Sequence, residues 1–270
     1  MLKIDPARVR GPAYARPQQE AAAGGEDDTR AVYGWRARIG LIVPSVNINS
    51  EPEFYRLVPA GVSVHVARTF SDAPASREHY GAMADGTRDA AKSLTSVAPD
   101  LIAYACTSGT ISCDREQIKQ EMARICKVPV TTTADAVLAA LQELGASKVA
   151  LATPYVPFVV QDEIEFLERE GYRVVSEQSL GLGKDYAERL QLQRTSLATI
   201  RQLCLSVDHP EADVIFLSCT GLGALDAIEG LEQKTGKPVI TSNQVTFWHC
   251  MRMLGFDDRI QGVGSLLALH

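Results

Sequence analysis

Two stretches of this sequence combine residue types that could do chemistry. Leu101–Thr110 reads LIAYACTSGT and Val214–Gly223 reads VIFLSCTGLG, and an aspartate precedes each, Asp100 and Asp213. In both, a short apolar run ends on a cysteine and opens into a turn of threonine and glycine. Such runs, bounded by turn residues, suit strands buried on both faces of a parallel sheet. Cys106 and Cys219 then stand at the carboxyl ends of central strands, where a following helix offers unpaired N–H groups and a positive dipole end. That setting favours a thiolate and cradles an anion. The chemistry it fits is acid, base or nucleophilic work on a small carboxylate. Backbone amides and hydroxyls of Thr107, Ser108, Gly109, Thr220 and Gly221 are placed to hold a carboxylate or an enediolate-like oxyanion, besides the helix capping that serine and threonine perform.

The elements that must position these thiols occur in two sets. Ile39-Gly40-Leu41-Ile42-Val43 reads as a buried strand whose exit loop carries Ser45 and Asn47. Lys148-Val149-Ala150-Leu151-Ala152 reads the same way, with Thr153 and Tyr155 leaving it. These four exit-loop residues are candidate donors to a second carboxylate, and Ser242 and Asn243 lie after the last strand. Pro44 and Pro154, Cys106 and Cys219, and Pro129 and Pro238 stand 110, 113 and 109 positions apart. Three landmarks in one order at nearly constant offset imply an internal duplication. The expected fold is therefore α/β: two similar lobes, each a small parallel sheet flanked by helices, related by a pseudo-twofold. Residues 37–133 with 245–270 are assigned to lobe one and 134–244 to lobe two. Ligands of such sheets bind beyond the carboxyl ends of the strands, which brings both cysteine turns to one cleft.

Several details go with this outline. Residues 1–36, with Pro6, Pro12, Pro17 and the Glu26-Asp27-Asp28 triplet, lack periodicity and read as a flexible N-terminal extension. Strand Tyr172–Ser176 is expected to end before a loop beginning at Gly181-Leu182-Gly183, and one helix is expected over Leu190–Val207. Cys113, Cys126, Cys204 and Cys250 fall in or beside helical patterns and read as packing residues. The five histidines form no constellation with a nucleophile, and Arg68 reads as peripheral.

Composition removes other classes. With 27 Lys+Arg against 33 Asp+Glu the formal net charge is −6, and no basic stripe calls for nucleic acid. No apolar run approaches the roughly 20 residues of a membrane span, and no secretory signal opens the chain. Six cysteines in 270 residues, none in a CxxC pair, fit neither a disulfide scaffold nor a zinc site. A reduced, cytoplasmic setting is the expectation. The absence of GxGxxG and GxxxxGK[ST] argues against nucleotide cofactors, so no cofactor and no metal are expected.

Pro44-Ser45-Val46-Asn47, Ala105-Cys106-Thr107-Ser108-Gly109, Thr153-Pro154-Tyr155, Ser218-Cys219-Thr220 and Thr235-Gly236-Lys237-Pro238-Val239 resemble the aspartate/glutamate racemase superfamily. The branch with maleate cis–trans isomerases, arylmalonate decarboxylases and EutA-type ectoine utilisation proteins is most similar. The resemblance runs from about Arg38 to Leu267. It implies an interlobe site, no cofactor, and a homodimer or larger homo-oligomer. It also implies that Cys106 matches the thiol that adds to the double bond in maleate isomerases, that Cys219 matches the second, proton-handling thiol, and that Asn47 and Tyr155 match residues gripping carboxylates. Decarboxylases of the branch keep only the second cysteine. One departure is visible: maleate isomerases have an asparagine in the loop after the second strand of lobe two, and Gly181-Leu182-Gly183-Lys184-Asp185-Tyr186 has none. The leading expectation is a cofactor-independent two-cysteine isomerase of a small carboxylate or dicarboxylate, either a cis–trans isomerase or a racemase. The alternatives are an arylmalonate-type decarboxylase, a EutA-type protein, and a non-catalytic carboxylate-binding protein.

Overall fold

A computed structural model describes residues 31–270; residues 1–30, and with them most of the expected extension, lie outside the described residues. The chain is tied down by Arg36, whose amide donates to the Gly61 carbonyl at 2.8 Å and whose guanidinium grips Asp258 through bonds of 2.9 and 2.7 Å.

Eight strands form two four-stranded parallel sheets. The first contains β1 (Ala37–Pro44), β2 (Val62–Thr69), β3 (Leu101–Tyr104) and β4 (Val130–Thr132), in the order β2-β1-β3-β4. The second contains β5 (Lys148–Tyr155), β6 (Arg173–Leu182), β7 (Val214–Leu217) and β8 (Val239–Thr241), in the matching order β6-β5-β7-β8. The short central strands are buried along their whole length, Leu101 to Tyr104 and Val214 to Leu217, because helices cover both faces. The aspartates that precede them share one job. Asp100 accepts from the Arg38 amide at 2.7 Å, and Asp213 from the Ser147 and Lys148 amides at 2.9 and 2.8 Å, so each holds the start of its neighbouring strand. Their far ends match as well. The Ala105 amide donates to Ile42 and the Ser218 amide to Ala152, both at 2.8 Å, and a cysteine follows each time.

The helices in order are α1 (Ser50–Leu57), α2 (Arg77–Leu94), α3 (Thr107–Ile111), α4 (Arg115–Cys126), α5 (Thr133–Glu143), α6 (Pro157–Arg169), α7 (Tyr186–Leu192), α8 (Leu197–Ser206), α9 (Leu225–Thr235), α10 (Ser242–Met253) and α11 (Ser265–Leu269). The duplication reaches their caps. Thr132 and Asp135 form a capping box at the start of α5, and Thr241 and Gln244 form one at the start of α10. These equivalent helices pack on each other, with Thr133 Oγ1 and Thr246 Oγ1 3.0 Å apart.

Two expectations need correction. The single helix over Leu190–Val207 is broken into α7 and α8, because Asp185 and Ser196 each accept from the amide three residues on and so start separate helices. Strand β6 continues to Leu182 instead of ending at Ser176. Its Gly181, at φ +67°, lies where the pairing with β5 shifts register, so a glycine that reads as a loop signal lies within the strand. Among the described residues no helix is long and apolar enough to cross a membrane.

Candidate active site

The carboxyl ends of the two sheets meet around a cavity of about 40 Å³, room for about three waters. Both cysteine turns line it. Asn47, Thr107, Ser108, Tyr155, Thr220 and Gly221 line it too, as do Tyr80, Arg189 and Gln193. The turns are bridged directly: Thr107 Oγ1 donates to Ser242 Oγ at 2.9 Å, and Ser242 Oγ accepts from the Cys219 amide at 2.9 Å. Thr220 Oγ1 reaches the Ala105 carbonyl at 3.2 Å.

Cys106 is 4 % exposed and occupies the N-cap of α3, its sulfur accepting from the Gly109 amide at 3.4 Å. A Cβ at position 109 would come within 2.9 Å of that sulfur, which explains the glycine. Burial pushes the Cys106 thiol up. The Gly109 N–H, the Tyr104 and Ser108 hydroxyls and the Arg189 charge all pull it back down.

Cys219 is 7 % exposed and sits at φ +117°, a conformation that costs a non-glycine residue about 1–3 kcal/mol. Its sulfur accepts from the Gly221 amide at 3.3 Å. Burial pushes this thiol up to about 12; Tyr155 and the Gly221 N–H oppose the rise, whereas Cys106 and Glu163 add to it. Glu163, on α6, is 1 % exposed and accepts from the hydroxyl of Ser218 next door, while its Oε2 finds no partner among the described residues. Burial raises its carboxyl to about 8.

Three of the expected residues stand behind the cavity wall. Ser45 Oγ accepts from the Ser71 amide at 2.9 Å, Thr153 Oγ1 from the Tyr155 amide at 3.2 Å, and Gly109 acts through its amide on Cys106. Asn47 is at the wall and spans the lobes, donating to Thr220 O at 3.0 Å and accepting from the Asn49 and Ser50 amides at 2.9 Å. Arg68 does not line the cavity but braces the same exit loop through the carbonyls of Ser45 and Asn47 at 3.1 and 2.7 Å. Asn243 reaches Thr220 O at 3.1 Å and the buried Glu53 at 2.7 Å; Glu53 in turn caps the Ala224 and Leu225 amides at the start of α9. These contacts hold one lobe's loops against the other.

Sequence reasoning missed Tyr80, Arg189 and Gln193. Tyr80 lies on α2, far from any motif, and hydrogen-bonds Ser108. Arg189 is 9 % exposed and donates to Ala73 O, Ser71 Oγ and His79 Nε2 across the cleft mouth, where the Ala75 amide also meets Gly183 O at 3.0 Å. His79 is thereby an acceptor, and burial and then the Arg189 charge push its imidazole down, keeping it neutral. The break between α7 and α8 was the signal that could have found Arg189 and Gln193. Asp185 is an N-cap residue with Glu188 three positions on, so a short helix starting there puts both beside the cleft.

The model of the arylmalonate decarboxylase family matches residues 39–267. A maleate isomerase from Pseudomonas putida is 26% identical over 246 residues, covering 86% of this chain and 97% of its own. An arylmalonate decarboxylase from Bordetella bronchiseptica is 38% identical over 130 residues, covering 47% and 52%. The solved structure of a Nocardia farcinica maleate cis–trans isomerase bound to Tris superposes with a TM-score of 0.79 at 25% identity, covering 86% of this chain and 97% of that one.

Proposed function

This chain belongs to the arylmalonate decarboxylase family, and from that membership we propose that it is a cofactor-independent two-cysteine isomerase of small carboxylates, with maleate-to-fumarate conversion as its type reaction. The observation that carries the reading is the presence of two thiols on opposite turns of one small cavity, with the Arg189 guanidinium near one and the Glu163 carboxyl near the other. Burial raises the Cys106 thiol, and the Arg189 charge with the Gly109 N–H offsets part of that rise. Glu163 and deep burial keep the proton on Cys219.

The reaction follows from that difference. The Cys106 thiolate adds to one alkene carbon, forming a C–S bond, and the π electrons move to the neighbouring carbon and its carboxylate as an enediolate. The amides of Thr107, Ser108 and Thr220 make no hydrogen bond among the described residues, so they are available to that oxyanion. The central bond is now single and rotates. Return of the electrons expels the Cys106 thiolate and leaves the trans product. Cys219, with Tyr155 as its hydrogen-bond partner, stands opposite as the acid that supplies or takes back a proton.

The family name and the 38% identity to a decarboxylase favour decarboxylation as the second reading. It needs one thiol to protonate a carbanion and gives no work to Cys106. Incubation with maleate, small amino acids and phenylmalonate in D2O, followed by proton NMR, separates the readings. Fumarate formation that Cys106→Ala abolishes is the expected result. Loss of CO2 from phenylmalonate by that same variant would overturn the isomerase assignment. Incorporation of deuterium alpha to a carboxylate with inversion would replace it by racemisation.

A further inference from the structure

We propose that Arg189 and Gln193 form a subsite for a second anionic group, so that the protein selects small dicarboxylates over their neutral monoamides. The proposal deepens the carboxylate-isomerase reading and rests on it for the identity of the cleft.

Arginine is charged at every working pH, and a buried cation without a counter-charge is expensive. Arg189 is buried, lines the cavity, and takes part in no salt bridge among the described residues. Its protein partners are all neutral: a carbonyl, a hydroxyl and an imidazole held as acceptor. They occupy three of the five N–H donors of the guanidinium, which leaves two with no protein acceptor. The anchors fix the planar fork at the mouth of a cleft that also holds Cys106. A carboxylate is the group whose geometry and charge complete such a fork.

Gln193 follows one helical turn later, at the end of α7, and so shares a face with Arg189. Its Oε1 is buried without a partner among the described residues. Its amide lies so close to the second cysteine turn that a Cβ at Gly221 would approach Nε2 to 2.6 Å. An unused side-chain amide beside an unused guanidinium edge, both on the cavity wall, makes a polar pocket without an occupant from the protein.

The test compares the intact protein with Arg189→Gln, Arg189→Lys and Gln193→Leu. Succinate, which cannot isomerise, and its monoamide serve as probes of binding by thermal shift; maleate and its monoamide serve as probes of turnover. The wild-type protein is expected to be stabilised by succinate and far less by the monoamide. Arg189→Gln is expected to lose roughly a hundredfold in kcat/KM for maleate but less than about tenfold for the monoamide, and Arg189→Lys to recover part of the loss. Gln193→Leu is expected to lose roughly tenfold. Equal stabilisation of wild type by the two succinyl probes, or equal loss on both maleyl substrates in Arg189→Gln, would overturn the subsite. Succinate stabilisation that depends on Arg189 in a protein that turns over nothing upholds the subsite while removing the isomerase reading.

Discussion

The two cysteine turns begin as copies and end as opposites. Each follows a four-residue buried strand hydrogen-bonded at the same register to its neighbour, and each sulfur accepts from a glycine amide two or three residues on. Beyond that they diverge. Cys106 has an extended backbone at φ −149° and caps a helix, with the Arg189 cation nearby. Cys219 has a left-handed backbone at φ +117°, is followed by turn residues up to the start of α9, and has the Glu163 carboxyl behind it. Duplicated strands supply two equivalent thiols; the helices added around them make one a better anion and the other a better acid. In the proposed reaction this symmetric scaffold serves an asymmetric task, with a bond to sulfur on one face of the substrate and a proton on the other.

The sharpest way to break this comparison is to exchange the thiols' fates. Cys106→Ala is expected to abolish maleate isomerisation, a loss of about ten-thousandfold or more, because among the described residues no other thiol lines the cleft on that side. Cys219→Ser keeps the shape and offers a weaker acid, with an expected loss of about a hundred- to ten-thousandfold in kcat and undiminished thermal stabilisation by succinate. Equal losses in the two variants, in kcat and in binding alike, would mean that the turns are functionally equivalent.

Glu163→Gln tests the electrostatic half of the comparison. Burial raises the folded carboxyl to about 8 from its ordinary 4.5, so between those values the folded state holds a proton that the unfolded chain has released. The stability tied to that proton is complete below about pH 4.5 and is lost as pH rises through about 8. Denaturant unfolding across that window should show wild type losing ground to Glu163→Gln by on the order of a few kcal/mol. The alkaline limb of kcat in the variant should move to lower pH, because Cys219 has lost its anionic neighbour. Curves that stay parallel would remove Glu163 from the account.

The smallest effect tests the mechanical link. Ser242→Ala cuts the bridge from Thr107 Oγ1 to the Cys219 amide and leaves a buried N–H unpaired, at an expected cost of about 1–3 kcal/mol in unfolding free energy. Its effect on kcat should exceed its effect on KM, since the lost bond positions Cys219 and not the ligand.

What the sequence by itself determined is the duplicated frame and its chemistry. Apolar runs such as Leu101–Tyr104 and Val214–Leu217 can satisfy their burial only inside a covered parallel sheet, and the residue that ends each run must stand at the edge of that sheet. The cysteines, their glycine turns and the exit-loop residues Asn47 and Tyr155 were legible for that reason: their positions follow from local pattern and from repetition at a nearly constant offset. Tertiary structure alone decided the asymmetry. Arg189, Glu163 and Tyr80 sit on helices with unremarkable polar and apolar patterns, and their distance from the thiols depends on how α7, α6 and α2 pack against sheets that precede or follow them by tens of residues. Charge acts through space, whereas a repeat is written along the chain, so the sequence shows two equal sulfurs and the fold makes them unequal.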